Sequence, residues 1–409
     1  MKTKLGIIFG GKSVEHEISI ITGNQAINAV NTEKYEIVPI YISKKGLMYT
    51  GKELLDLNNY KDLNSLLKKV TQITLVNDGE KVNLVKYPSS MFRNNILNTI
   101  DVAIPTMHGT NGEDGAIQGY LEIMGIPYAG CDILSSSVGM DKIMMRRVLK
   151  EAGIPSLDYI SFYSLDYIDN PEKIISDVEE KINYPVIVKA GNLGSSVGIK
   201  KASDKVKLKE AIEYAIQFSD RVMIERAIEH LREINCSVLG DQVEAIASEC
   251  EEPFGSDEIL SYNDKYMSGK GSKSGKLGGA KAASDSKNQG MAALDRKIPA
   301  DITPERKKEI QDLAIKTFKI LGCSGVSRID FMIDKDTDEL YVNEINTIPG
   351  ALSFYLWQAT DLEFDKEIDK LVELAFKRQR QREDRTYSYD ENILAMGGIG
   401  NTGAKGSKN

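Results

Sequence analysis

Residues 325–350 read GVSRIDFMIDKDTDELYVNEINTIPG, and the way this stretch alternates decides the fold. Successive side chains of a strand point to opposite faces, so Ile329, Phe331 and Ile333 fall on one side and Arg328 and Asp330 on the other. The turn-rich KDTD then joins GVSRIDFMI to ELYVNEINT as a hairpin. If the connection comprises Lys335 to Glu339, Asp330 lies opposite Glu344 and Arg328 lies near Asn346. Two carboxylates, an amide and a guanidinium then converge on one patch. Hard oxygen ligands gathered this way suit Mg²⁺, which takes carboxylates together with substrate phosphates and water. The same residues also describe a solvated hairpin face with surface salt bridges, the commoner fate of such side chains. The apolar flanks, and the rigid exit Asn346-Thr-Ile-Pro-Gly350, weigh towards burial and a substrate-holding turn.

Working outward, ERKKEIQDLAIKTFKILG before the hairpin is a helix with Ile310, Leu313, Ile315, Phe318 and Leu321 inward. Earlier still, YPVIVKA, RVMIERAI, REINCSVLG and QVEAIASEC read as successive strands, preceded by a helix that starts at Ser135, carries Lys142 and stops at Gly153-Ile-Pro. Residues 5–43 read strand, helix, strand, a βαβ unit with Ser13 as the helix N-cap. DVAIP follows as a buried strand, and EDGAIQGYLEIMG as a helix with Ile117, Leu121 and Met124 on one face. The expected organisation is an N-terminal α/β domain over 1–130, a central α+β unit over 131–230, a C-terminal α+β unit over 231–380, and a tail over 381–409. The Gly/Ser/Lys-rich segment 268–290 reads as part of a mobile loop over about 263–290, and the tail as a loose terminus.

The 409 residues are enough for two or three packed cores. A formal charge of −8 leaves no basic footprint for a phosphate backbone, so no nucleic-acid partner is expected and any anion must be held locally. Cys131, Cys236, Cys250 and Cys323 form no CxxC pair and read as reduced, buried thiols. The apolar run Leu5 to Phe9 is too short for a signal-peptide core, and no stretch approaches the roughly 20 apolar residues of a membrane helix. A cytoplasmic protein without a membrane partner is expected.

Three other segments could carry chemistry. VIVKAGNLGSSVGIK ends a strand in Lys189 and continues into a Gly-Ser loop, which cradles phosphate or is only a turn, and it lacks the Walker pattern. FGGKSVEHEIS has strand, double glycine and helix start, but no GxGxxG fingerprint. His16 and His108 are candidate bases or simply satisfied within the fold, and MHGTNGEDG combines glycines, an amide and two acids or only caps a helix.

Taken in order, FGGKSVEHEIS, MHGTNGEDGAIQGYLEIMGIPYAG, GMDK, VIVKAGNLGSSVG, REINCSVLG, NDKY, SRIDFMI and VNEINTIPG resemble the D-alanyl-D-alanine ligases of the ATP-grasp superfamily, from about residue 4 to residue 350. The resemblance implies an ATP-grasp fold, α/β and α+β, with a Rossmann-like N-terminal α/β domain and ATP between two α+β units. It implies that Lys142 and Lys189 contact phosphate, that Glu225 and Glu233 contact adenine and ribose, and that Lys265 binds ATP. Asp330, Glu344 and Asn346 match the ligands of two Mg²⁺ ions, replaceable by Mn²⁺, and Arg328 the residue that steadies the transferred phosphoryl group. Glu15 resembles the anchor of the first amino acid's ammonium, linked to Ser195 and to Tyr266, with His108 in support and Gly350 and Ser353 near the substrates.

The implied activity is ligation of two D-alanines through an acyl phosphate for cell-wall precursors, by a homodimer. The alternatives are a D-alanyl-D-serine or other D-amino-acid ligase, or an ATP-binding regulatory protein that has lost catalysis. Tyr266 favours a dipeptide over a depsipeptide, since relatives that accept D-lactate tend to have histidine in that loop. Three departures from the family pattern stand out: Ala190 after Lys189 where proline is usual, ALSFYLW after Pro349-Gly350 with Tyr355 where serine is common, and the insertion after Tyr266.

Overall fold

The computed structural model describes residues 2–91, 94–194, 197–253 and 296–387. Ser195, Lys265, Tyr266, the expected loop over 263–290 and the tail beyond residue 387 therefore lie outside the described residues.

Three sheets organise the chain. The first runs in the order β6-β5-β4-β3-β2-β1-β7, with β1 (Thr3–Gly10), β2 (Tyr35–Ile42), β3 (Met48–Thr50), β4 (Thr71–Asn77), β5 (Val82–Lys86), β6 (Ile96–Ile100) and β7 (Val102–Pro105). Only β2, β1 and β7 are parallel, and the rest is an antiparallel extension. The βαβ reading of residues 5–43 is borne out, with the helix at His16–Ala29. Both faces of β1 are covered: Leu5, Ile7 and Phe9 pack into one core and Ile8 into another. That explains why its sequence is a continuous apolar run rather than an alternation. Gly10 has φ 92°, and a side chain there would meet the Ile42 carbonyl oxygen at 2.2 Å, so the glycine is required where the chain leaves the sheet.

The second sheet, β10-β9-β11-β8, is antiparallel and comprises β8 (Tyr159–Tyr163), β9 (Val186–Ala190), β10 (Ile199–Ala202) and β11 (Arg221–Arg226). The helices Pro171–Lys181 and Lys205–Ala215 cover it through Ile174, Val178, Leu208 and Ile212. The third sheet, β14-β13-β12-β15-β16, holds β12 (Leu231–Gly240), β13 (Ala245–Pro253), β14 (Arg296–Lys297), β15 (Gly325–Asp334) and β16 (Glu339–Asn346). Its apolar face packs on the helix Pro304–Ile320 through Ile310, Ala314 and Phe318, and all four cysteines are buried in that core as free thiols. Leu313 and Ile315, expected inward, are half-buried against it. The last described helix, Phe364–Glu383, returns to the first sheet, where Ile368, Leu371 and Val372 join the core of Leu5, Ile7 and Val102.

Two local expectations are corrected. The single helix expected from Ser135 is two, Ile133–Met140 and Lys142–Glu151. Asp141 breaks it with extended backbone (ψ 101°) and caps the second helix by accepting from the N–H of Ile143 at 3.1 Å and Met144 at 3.0 Å. Ser13 is not the N-cap of the first helix: its Oγ accepts from the Glu15 N–H at 3.1 Å, a turn that closes before the helix begins at His16.

Candidate active site

The hairpin of β15 and β16 places Asp330 opposite Glu344 and Arg328 opposite Asn346, the pairs expected from alternation. The route differs. Asp334 pairs with Glu339, so the connection is only Lys335 to Asp338, and a bulge between Asp330 and Phe331 on β15 absorbs Asn343 and restores the register. Arg328 forks onto Asp330, Nε to Oδ1 at 2.7 Å and Nη2 to Oδ2 at 2.8 Å, and Asn346 Nδ2 donates to Asp330 Oδ2 at 3.0 Å. Burial works against the charge on Arg328, but the Asp330 carboxylate outweighs it and holds the guanidinium firmly protonated. Glu344 faces Lys142 Nζ at 3.4 Å. Lys142 can reach it because the break at Asp141 puts it in the first turn of its helix, where Nζ also donates to the Leu193 carbonyl at 2.7 Å.

Across the cleft, β9 carries Lys189 into a buried network. Lys189 pairs with Glu225 on β11, Arg146 pairs with the same carboxylate at 3.0 Å, and Asn343 accepts from Lys189 at 3.2 Å and Arg146 at 3.4 Å. Burial pushes the Glu225 carboxyl up, yet Lys189 and Arg146 prevail and hold it below the usual range. Burial lowers Lys189 against the pull of Glu225. The proline-to-alanine departure at position 190 has a consequence here, since the Ala190 N–H donates to the Gly198 carbonyl at 3.0 Å and closes the Gly-Ser loop, a bond proline could not make.

The third wall comes from the first sheet. Glu15 lies beside Gly109, whose φ of 67° and missing side chain admit the carboxylate: a Cβ there would meet Glu15 Oε2 at 2.5 Å. His108 is buried, with Nε2 2.8 Å from Thr22 Oγ1. Thr22 Oγ1 also accepts from the Ala351 N–H at 3.1 Å, so His108, Thr22 and Ala351 form one chain of hydrogen bonds. Burial, chiefly, lowers the His108 pKa to about 4, so the ring is a neutral hub joining the first helix to the chain after Pro349. His16 takes the bland reading, bonding the Gly11 carbonyl at 2.6 Å and the Tyr41 hydroxyl at 3.1 Å in the core.

These walls enclose a cleft of about 420 Å³, within the roughly 300–1,000 Å³ of small-molecule sites. Glu15, His108, Lys142, Lys189, Glu225, Glu233, Arg328, Asp330, Glu344, Asn346 and Gly350 all line it. Ser353 does not. Ala351, Leu352 and Ser353 take left-handed backbone (φ 55°, 52° and 59°), which turns Ser353 fully inward and presents Tyr355 to the cleft instead. Sequence reasoning passed over Glu113, Arg146, Asn235, Glu251, Arg296 and Asn343. Glu113 lay within the quoted MHGTNGEDG, and it accepts from the Gly109 N–H at 2.9 Å and the Ile348 N–H at 3.1 Å, tying two walls together. Burial and then the neighbouring Glu15 push it above the usual carboxylate range. The others carry no local signal, because their partners are distant in sequence.

Among the described residues no group of three or more His, Cys, Asp or Glu is arranged to hold a metal. The set on the hairpin is two carboxylates and an amide, all hard oxygen donors on one sheet face. That fits Mg²⁺, which keeps water and substrate phosphates as its remaining ligands.

A sheet carrying carboxylates that faces a second sheet carrying lysines across a nucleotide-sized cleft, with an α/β domain closing the third side, defines an ATP-grasp protein. The sequence matches the family model of the D-ala D-ala ligase N-terminus over residues 4–131 and that of the D-ala D-ala ligase C-terminus over residues 148–373. The chain belongs to the D-alanine–D-alanine ligase family. It is 41% identical over 397 residues to the D-alanine--D-alanine ligase of Thermosipho africanus, covering 96% of this chain and 98% of that one, and 36% identical over 387 residues to that of Clostridium acetobutylicum, covering 92% and 99%. Among solved structures it resembles the D-alanine-D-alanine ligase from Coxiella burnetii (TM-score 0.74, 28% identity, 93% of this chain and 96% of that). It also resembles the VanG D-Ala:D-Ser ligase from Enterococcus faecalis (TM-score 0.73, 30% identity, 92% and 100%).

Proposed function

We propose that the chain joins two molecules of D-alanine at the expense of ATP, giving D-alanyl-D-alanine, ADP and phosphate. The observation that carries this reading is the hairpin face of Arg328, Asp330, Glu344 and Asn346 with Lys142 beside it, opposite Lys189 and next to Glu15. One carboxylate oxygen of the first D-alanine attacks the γ-phosphorus, ADP leaves, and the carboxyl becomes an acyl phosphate. The amine of the second D-alanine then attacks the carbonyl carbon, the C–O bond to phosphate breaks, and the amine proton is lost.

Glu15 attracts the first ammonium. Lys142 and Lys189 offset phosphate charge, and Arg328 faces the transferred phosphoryl group and then the oxyanion of the tetrahedral intermediate. Glu225, already held by two cations, and Glu233 border the nucleoside end. Asp330, Glu344 and Asn346 would hold two Mg²⁺ ions, or Mn²⁺, which when bound neutralise phosphate charge. Ser195, Tyr266 and Lys265 join the site in this proposal by resemblance alone, as does the three-part division at residues 130, 230 and 380. The reading includes a homodimer acting in the cytoplasm on small-molecule substrates, and no described helix is long and apolar enough to cross a membrane.

A D-serine acceptor is the second reading, favoured by the likeness to the VanG ligase and by Tyr355 in the cleft. Phosphate release should be measured with ATP and D-alanine alone, then with D-serine, D-lactate or L-amino acids added. Turnover on D-alanine alone is expected. Turnover that requires D-serine would shift the assignment to the second reading, and none with any D-amino acid would overturn both.

A further inference from the structure

Beside the hairpin, the same cleft holds a polar cluster that none of the roles above uses. Asn235 faces Asp330 on one side and Glu251 on the other, so Glu251, Asn235, Asp330 and Glu344 form one row across four strands. Glu251 is 2% exposed. Its Oε1 accepts from Asn235 Nδ2 at 3.0 Å and from the Tyr355 hydroxyl at 3.2 Å, and its Oε2 from Arg296 Nη1 at 2.9 Å. The Arg296 guanidinium lies over the Tyr355 ring, 4.0 Å from the centroid. A buried carboxylate is costly unless paired and hydrogen-bonded. Here the pairing does more than satisfy it, because Glu251 and the Tyr355 ring together hold Arg296 in one orientation at the cleft wall.

That wall is built on β13 and β14, at the other edge of the sheet from β16, and Arg328 lies between: it bonds Asp330, and its charge also acts on Tyr355 and Glu251. An amine that attacks the carbonyl carbon facing Arg328 brings its own carboxylate along, only two bonds from the nitrogen. Arg296 supplies a cation at that place, and the planar fork of a guanidinium matches the geometry of a substrate carboxylate. Ser353, which the resemblance put near the substrates, is fully buried outside the cleft. We propose that Arg296 binds the α-carboxylate of the second amino acid, with Glu251 and Tyr355 as its positioning residues. The proposal rests on the ligase reading above and assigns its second subsite.

The test separates the two amino-acid Michaelis constants in Arg296→Gln, Arg296→Lys and Tyr355→Phe. Hydroxylamine provides an acceptor with no carboxylate: its nitrogen attacks the acyl phosphate, phosphate leaves, and the first amino acid is released as a hydroxamate. Arg296→Gln should raise the Michaelis constant for the second D-alanine by about ten- to a hundredfold, the worth of a charge-assisted hydrogen bond, with those for ATP and the first D-alanine changing far less. The ratio of dipeptide to hydroxamate should fall by about the same factor, Arg296→Lys should recover part of the loss, and Tyr355→Phe should show a smaller rise confined to the same constant. Equal rises for both amino acids, or an unchanged second constant in the folded lysine and phenylalanine variants, would overturn the assignment. If the unaltered enzyme yields no hydroxamate, the acyl-phosphate reading itself fails, and the subsite with it.

Discussion

Glu344 sits on the polar face of the hairpin: opposite Asp330, two residues from Asn346 and 3.4 Å from Lys142 Nζ. Glu344→Gln keeps the shape and removes the charge. Glu344 would help to hold Mg²⁺ in the proposed reading, so loss of that charge should lower turnover on the order of a hundredfold or more, with the circular dichroism spectrum unchanged. Near-normal phosphate release at moderate Mg²⁺ would show that the hairpin does not hold the metals. Individual site residues were legible in the sequence where a strand's alternation exposed them, as with Arg328 and Asp330. Glu251 and Arg296 were not, because a buried pair 45 residues apart in the chain leaves no periodic trace. Ser353 was misplaced because nothing in ALSFYLW signals three successive left-handed residues, a conformation that costs non-glycine residues roughly 1–2 kcal/mol each and survives only where contacts such as Thr22 to Ala351 impose it.

At the scale of elements, the strands and most helices follow from apolar periodicity, whereas their breaks do not. The expected register of the hairpin was right through two compensating differences, a connection one residue shorter and a bulge at Asn343. A bulge has no signature in a pattern of period two, yet it lets Asn343 reach Lys189 and Arg146 while Glu344 keeps its place opposite Asp330. The C-terminal helix carries a second unread feature. Glu367 is fully buried against the first sheet, and among the described residues neither of its carboxylate oxygens has a hydrogen-bond partner. Burial alone raises its pKa well above the carboxylate range. The folded state therefore binds this proton more tightly than the unfolded chain does, and stability is full below the unfolded pKa and is lost as pH rises above it. Glu367→Leu should raise the melting temperature most at pH 8 and progressively less towards pH 4. A gain independent of pH would mean that this carboxyl is not held protonated in the fold.

Across the whole molecule, three sheets contribute one wall each to a single cleft, and contacts between them hold the walls together. Glu113 bonds the Ile348 N–H after the hairpin, and the helix Phe364–Glu383 packs Ile368 and Leu371 into a core shared by Leu5 of the first sheet and Val326 of the third. Carboxylates with an arginine, lysines, and Glu15 thus face one another at fixed places, an arrangement that suits making and consuming an acyl phosphate away from water. In the proposed reaction an oxygen of the first amino acid's carboxylate is transferred to phosphorus. D-alanine labelled with ¹⁸O in both carboxylate oxygens tests it directly, by mass spectrometry of the released phosphate. Each phosphate released with dipeptide should carry one labelled oxygen. Dipeptide formed with unlabelled phosphate would contradict it.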